Sequence, residues 1–174
     1  MDTSPGIPGA ASTLNAYHWQ PGWGWIEAQF QDGALIRLAF ADAPSLADPS
    51  LPSVIPAPAS LRELLDAYFS GQPIAARDAL QRLPIRLQGT PFQKRVWAAL
   101  TEIPYGKTTQ YGLLAQSLGS APRAVGQACK ANPVAILVPC HRVLAATGLG
   151  GYGGLRSGPA WSRKEALLHL EGAR

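Results

Sequence analysis

Residues 138–143 read VPCHRV, placing the thiol of Cys140 directly before the imidazole of His141 and the guanidinium of Arg142, at the end of an apolar run. Three chemistries fit: a nucleophilic thiolate, a soft metal ligand, or a small buried residue beneath a basic surface. Thiol nucleophiles act as thiolates, and a free cysteine is only about 3% ionised at neutral pH. His141 and Arg142 could raise that fraction. A pKa lowered by about two units gains roughly 25-fold in thiolate and loses roughly 6–10-fold in intrinsic nucleophilicity. The net gain is too small to be the whole mechanism, so holding the target beside the sulfur must matter more.

The other candidates for soft metal ligands are Cys129, His18 and His169, and their spacing matches no known site, so no metal is expected. The two cysteines lie eleven positions apart, outside CxxC spacing, which argues against a disulfide framework and for a reducing compartment.

Four elements must position this group. Thr90, Pro91 and Gln93 form a capping box that starts a helix, with Phe92, Val96, Trp97, Leu100 and Ile103 on its apolar face. TTQYGLLAQSLG then reads as a second helix stopped by Gly119, and SAPRAVGQACKAN as a third, the pair resembling a helix-turn-helix. On the third helix Arg123, Gln127 and Lys130 make a polar stripe beside the small Ala124, Ala128 and Ala131, a face able to approach a phosphate backbone or enter a groove. The same alanines also serve simply as good helix formers. Residues 135–138, AILV, read as a short buried strand ended by Pro139, which puts Cys140 where that strand leaves the core.

Upstream, GWIEAQFQDGALIRLAF alternates on either side of Asp32-Gly33 and predicts a β-hairpin. Residues 41–60 carry five prolines and predict an irregular loop, after which SLRELLDAYFSG reads as a short amphipathic helix closed by Gly71. The chain of 174 residues, 47% hydrophobic, can bury a core. Nothing in it resembles a signal peptide or a membrane span, so a cytoplasmic protein without membrane contact is expected. Residues 1–88 hold five Lys/Arg against eight Asp/Glu, a net −3; residues 89–174 hold ten against three, a net +7. A basic second half points to a polyanion, most often nucleic acid.

PCHRV, preceded by Asn132-Pro133 and by Arg123-Ala124-Val125-Gly126, and followed by Gly151-Tyr152-Gly153-Gly154 and Leu170-Glu171-Gly172, resembles the O6-alkylguanine-DNA alkyltransferase family over residues 88–174. The resemblance implies an α+β protein: residues 1–15 a disordered N-terminus, 16–87 a ribonuclease H-like α/β domain including the Pro-rich loop, and 88–174 a mainly helical domain with a winged-helix-like helix-turn-helix. It implies a monomer that takes the alkyl group from O6-alkylguanine in double-stranded DNA, with O4-alkylthymine a further candidate, irreversibly onto Cys140, without a cofactor, after flipping the nucleotide out through the minor groove.

The implied roles are these. His141 is linked to Cys140 by a water and held by Glu171, Asn132 braces the turn, and Tyr111 serves the leaving guanine and its phosphate. Val143, Tyr152, Gly153 and Lys164 bind the substrate, Val143 through its carbonyl and the next two through backbone amides. Arg123 fills the vacated stack, and Ala124, Gln127, Ala128, Lys130 and Arg142 complete the DNA contact. Ser162 and Glu165 read as a second capping box, with Trp161 and Ala166 as its staple, which leaves Glu171 as the carboxylate. The segment LRSGPAWS is longer than the family's usual connection, which leaves alkyl preference open.

Three alternatives stand beside this. An alkyltransferase-like protein would bind the lesion without transfer, but such proteins typically lack the cysteine. A helix-turn-helix regulator explains the +7 half and not the PCHR turn. A thiol hydrolase needs an oxyanion hole for which the sequence offers no sign.

Overall fold

The Asp32–Gly33 dipeptide turns with both residues at positive φ (50° and 77°), the geometry that matches the twist of a two-residue hairpin, and it joins β2 (Gly24–Gln31) to β3 (Ala34–Ala41) as expected. A computed structural model describes residues 13–41, 55–74, 76–153 and 157–173 of the chain. β1 (Thr13–Gln20) pairs antiparallel with β2, from Thr13 opposite Gln31 to Gln20 opposite Gly24. Thr13, Leu14 and Asn15, expected in a disordered terminus, are therefore strand residues. β4 (Ile55–Pro56) adds in parallel to β1, giving the order β3-β2-β1-β4. Most of the expected Pro-rich loop, 42–54, lies outside the described residues; its end is already strand and helix.

α1 (Ala59–Phe69) buries Leu61, Leu64, Leu65, Tyr68 and Phe69, and Gly71 follows it at φ 82°. α2 (Ala76–Arg82) leads to residues 84–86, which bond along the outer edge of β3 through Leu35.

α3 (Pro91–Thr101) begins with the expected capping box: Gln93 N–H donates to Thr90 Oγ1 and Thr90 N–H to Gln93 Oε1. The second helix is shorter than expected. Thr109–Gln110 form β5, paired in parallel with β6 (Val143–Leu144), and α4 runs only from Tyr111 to Ser117. α5 (Pro122–Lys130) packs against α4 and α3. Trp97, 1% exposed, donates its indole N–H to the Ala128 carbonyl at 2.9 Å and so ties α5 to α3.

α6 (Pro159–Leu170) corrects the expected second capping box. The helix starts at Pro159 behind Gly158 (φ 84°), with no side-chain cap, so Ser162 and Glu165 lie inside it and Trp161 and Ala166 are no staple. Residues 159–162 of LRSGPAWS are thus helical, while 154–156 lie outside the described residues.

One core joins the two halves: Leu61, Leu65 and Leu38 belong to the same buried cluster as Val96, Leu100, Val138 and Leu167. The chain is a mixed α+β protein. Among the described residues no helix is long and apolar enough to cross a membrane.

Candidate active site

The segment leading to Cys140 is built as a turn, correcting the expected strand. Its pairing groups go elsewhere: Leu38 N–H donates to Pro133 O and Ala135 N–H to Leu38 O, so β3 holds its start. Val138 N–H returns to Val134 O at 3.0 Å, and Ile136 takes φ 72°, a conformation that costs a β-branched residue. Asn132 clamps both ends, its Nδ2 donating to Val138 O at 2.7 Å and its Oδ1 accepting from Val134 N–H at 3.1 Å. Asn132 thus stands where the sequence expects a brace.

Cys140 opens a single 3-10 turn, Cys140–Arg142. Burial pushes its thiol above the usual cysteine range, opposed only in part by hydrogen bonding with Asn132 and the nearby Lys164 charge. The expectation that His141 and Arg142 would enrich the thiolate is therefore corrected: at rest the sulfur carries its proton.

Arg142 lies in the core, not on the DNA-facing surface, a second correction. It is 1% exposed, and its guanidinium grips Glu171 with Nε to Oε2 at 2.8 Å and Nη2 to Oε1 at 2.9 Å, while Nη1 donates to Ile103 O at 2.7 Å. A guanidinium so engaged has no reach toward a phosphate.

Glu171, just past α6, gathers the site. Besides Arg142 it accepts from His141 Nε2 at 2.8 Å, Tyr68 Oη at 2.6 Å and Gly106 N–H at 3.2 Å. Burial alone would raise its pKa, but the bonds from His141, Arg142 and Tyr68 outweigh it and hold the carboxyl down to about 2. An ionised carboxylate has no proton to give, so the hydrogen between Oε1 and His141 belongs to Nε2. Burial also lowers the His141 pKa, keeping the ring neutral. Nδ1 is then an unprotonated base, buried and without a protein partner among the described residues. The sequence paired His141 with Glu171, and the structure brings them together; it did not single out Tyr68, Gly106 or Ile103.

A third cluster shapes the loop after β6. The buried Lys164 ammonium donates to Val143 O at 2.6 Å, Leu149 O at 2.7 Å and Gly151 O at 3.1 Å. Tyr111 Oη donates to Gly151 O at 3.3 Å and Trp161 Nε1 to Gly150 O at 3.0 Å. Burial raises the Tyr111 pKa, with the two cysteines contributing, so its hydroxyl remains a donor. Lys164 reaches the site through these carbonyls.

A cavity of about 630 Å³ lies between this loop and α5, lined by Cys140, Tyr111, Tyr152, Gly153, Arg123, Gln127 and Lys130 among others. Arg123, Gln127 and Lys130 are exposed and Ala124 is half-buried beside them. Ala128 is corrected: it is 1% exposed, turned into the core beneath Trp97, and cannot face DNA. Cys129, which the sequence left without a role, also lines the cavity, its thiol pushed up to about 12 by burial and by Cys140. Among the described residues no group of three or more His, Cys, Asp and Glu side chains is placed to hold a metal.

Residues 91–173 match the family described as "6-O-methylguanine DNA methyltransferase, DNA binding domain". Proteins named methylated-DNA--protein-cysteine methyltransferase are similar: that of Saccharolobus islandicus is 44% identical over 63% of this chain and 66% of its own length. That of Mycobacterium bovis is 50% identical over 63% of this chain and 62% of its own. The match thus spans somewhat under two thirds of each of these relatives. The crystal structure of the Mycobacterium tuberculosis O6-methylguanine methyltransferase superposes with a TM-score of 0.72 at 37% identity, covering 94% of both chains. The structure described as Mycobacterium tuberculosis OGT in complex with DNA superposes at 0.71, again at 37% identity, over 91% of this chain and 92% of that one.

Proposed function

Because this chain belongs to the O6-methylguanine-DNA methyltransferase family, we propose that it repairs duplex DNA by moving the alkyl group of O6-alkylguanine irreversibly onto Cys140. The observation that carries the reading is Cys140 in the wall of a cavity bordered by α5, next to a neutral histidine whose free nitrogen is a base.

The resting thiol surrenders its proton to His141 Nδ1, in the family through a water. Glu171 stabilises the imidazolium that results. The sulfur attacks the alkyl carbon, a C–S bond forms, and the C–O6 bond breaks with its electron pair on the guanine. Tyr111, a protonated phenol on the cavity wall whose hydroxyl rests on Gly151 O, would turn from that carbonyl to donate to the leaving guanine. The guanine takes up one proton and the imidazolium gives one up to solvent, so thiol and O6-alkylguanine become thioether and guanine. A thioether has no path back to thiol, and each molecule acts once.

The target atom lies inside the stack, and extruding the nucleotide costs a few kcal/mol. The exposed Arg123 at the start of α5 supports its assignment as the side chain filling the gap, with Ala124, Gln127 and Lys130 along the groove. The sheet order β3-β2-β1-β4 with β4 parallel to β1 is compatible with the ribonuclease H-like reading, and the short β5–β6 pair with a wing. Val143 O keeps a second lone pair beyond its bond to Lys164, which leaves it able to read the base.

The test is a second challenge. Protein that has repaired one equivalent of a duplex carrying O6-methylguanine is given another; the reading predicts that the second duplex stays methylated, and repeated turnover would overturn it.

A further inference from the structure

We propose that Tyr68, carried on α1 in the first half of the chain, is a positioning residue for the His141–Glu171 relay, fixing Glu171 Oε1 and with it the hydrogen on His141 Nε2. The inference rests on the reading of Cys140 as alkyl acceptor and extends the reaction centre into the N-terminal half.

Tyr68 is 3% exposed, and its hydroxyl donates to Glu171 Oε1 at 2.6 Å while lying 3.4 Å from His141 Nε2. Oε1 thereby accepts from three donors, Tyr68 Oη, His141 Nε2 and Arg142 Nη2. Arg142 adjoins His141 in sequence; Tyr68 comes from 103 residues before Glu171. Its ring is held edge-on by Phe69 at 5.2 Å and by Tyr105 at 6.0 Å, so the hydroxyl has little freedom to leave the carboxylate. Phenylalanine would supply the same packing, and a buried phenol earns its place only by finding a partner.

The groups around His141 are Glu171 and Lys164 from the end of the chain, Arg142 and Cys140 from its own turn, and Tyr68 from α1, with Tyr105 next to Glu171. Tyr68 draws charge from the oxygen that His141 also uses. Removing that donor leaves Oε1 a stronger acceptor toward Nε2–H and makes the ring more basic, while freeing the carboxylate to rotate.

Tyr68→Phe is therefore compared with wild type in two experiments. In single-turnover repair at saturating protein, normalised to active molecules, the transfer rate constant falls roughly tenfold, the effect of one lost hydrogen bond to a charged group. Affinity for the O6-methylguanine duplex is unchanged. In the protein without DNA, the His141 titration followed by the NMR signal of its ring moves to higher pH. Leu61→Ala, a buried residue two turns earlier on the same helix without a bond to the relay, loses packing but keeps rate and titration. Should Tyr68→Phe not fold, fluorotyrosine placed at Tyr68 strengthens the donor and moves the His141 midpoint down instead. A variant with wild-type rate and midpoint overturns the proposal. Wild-type protein that moves no alkyl group would sink the repair reading, and the His141 midpoints would still decide whether Tyr68 acts on the relay.

Discussion

Replacing Glu171 by glutamine removes one charge from a site that receives hydrogen bonds from Tyr68, His141, Arg142 and Gly106. Its cost can be reached by two routes. The first counts what is stranded: Arg142, 1% exposed, would keep a buried guanidinium with no counter-charge, and breaking such a pair costs about 3–5 kcal/mol. The second uses linkage. The carboxyl sits at about 2 in the fold against 4.5 for the free side chain, a depression equivalent to about 3 kcal/mol at neutral pH. The two agree. For a chain of this size the loss lowers the melting temperature by about 6–20 °C.

The pH dependence has a definite sign. A depressed carboxylate stabilises fully above its unfolded pKa and loses that contribution as pH falls through the folded value. The gap between wild type and Glu171→Gln is therefore full at pH 7, shrinks below pH 4.5, and is down to about 1 kcal/mol near pH 3. His141, held neutral by burial, adds acid lability to both proteins and does not create the gap. Thermal melts of both at pH 7 and pH 3 supply the comparison. Equal melting temperatures at pH 7, or a gap that does not narrow in acid, would refute the reasoning.

Three further outcomes are expected. Gly106 has φ 71°, and a Cβ there would meet the Glu171 carbonyl oxygen at 2.8 Å, so Gly106→Ala should destabilise by about 1–3 kcal/mol and slow transfer, read by thermal melt and single-turnover repair. Arg123→Ala should leave the melting temperature alone and weaken binding to the lesion duplex by about 1–3 kcal/mol, measured by fluorescence titration at fixed salt. On the proposal that neutral His141 takes the thiol proton, and with burial lowering its pKa, the rate should stay level from neutrality down through pH 6.5 and fall only below it, seen in a pH–rate profile.

What could be read before the structure was whatever a local pattern decides. The Thr90–Gln93 box and the Asp32–Gly33 turn are settled within four residues, and both form as read. Ala135–Val138 has the apolar run of a strand, but its backbone bonds are taken by Leu38 and by its own turn, a tertiary choice invisible in four hydrophobic letters. Arg142 looked like surface charge in a basic half, and its burial depends on a carboxylate 29 positions away. Ala128 shares its helix with Arg123 and Gln127, yet Trp97 on another helix decides that it faces inward. One missed residue did leave a trace: Tyr68 puts a hydroxyl in an otherwise apolar stripe of α1, and a buried phenol demands a partner.

The central claim is that Cys140 is the final acceptor of the alkyl group. Intact-mass spectrometry and peptide mapping after mixing equimolar protein with a duplex carrying one O6-methylguanine, with Cys140→Ser alongside, test it most directly. The account predicts one added methylene per protein, on the Cys140 peptide and not on Cys129, and none on the serine variant. Tight binding of the lesion with no mass change, or a methyl group found on Cys129, would contradict it.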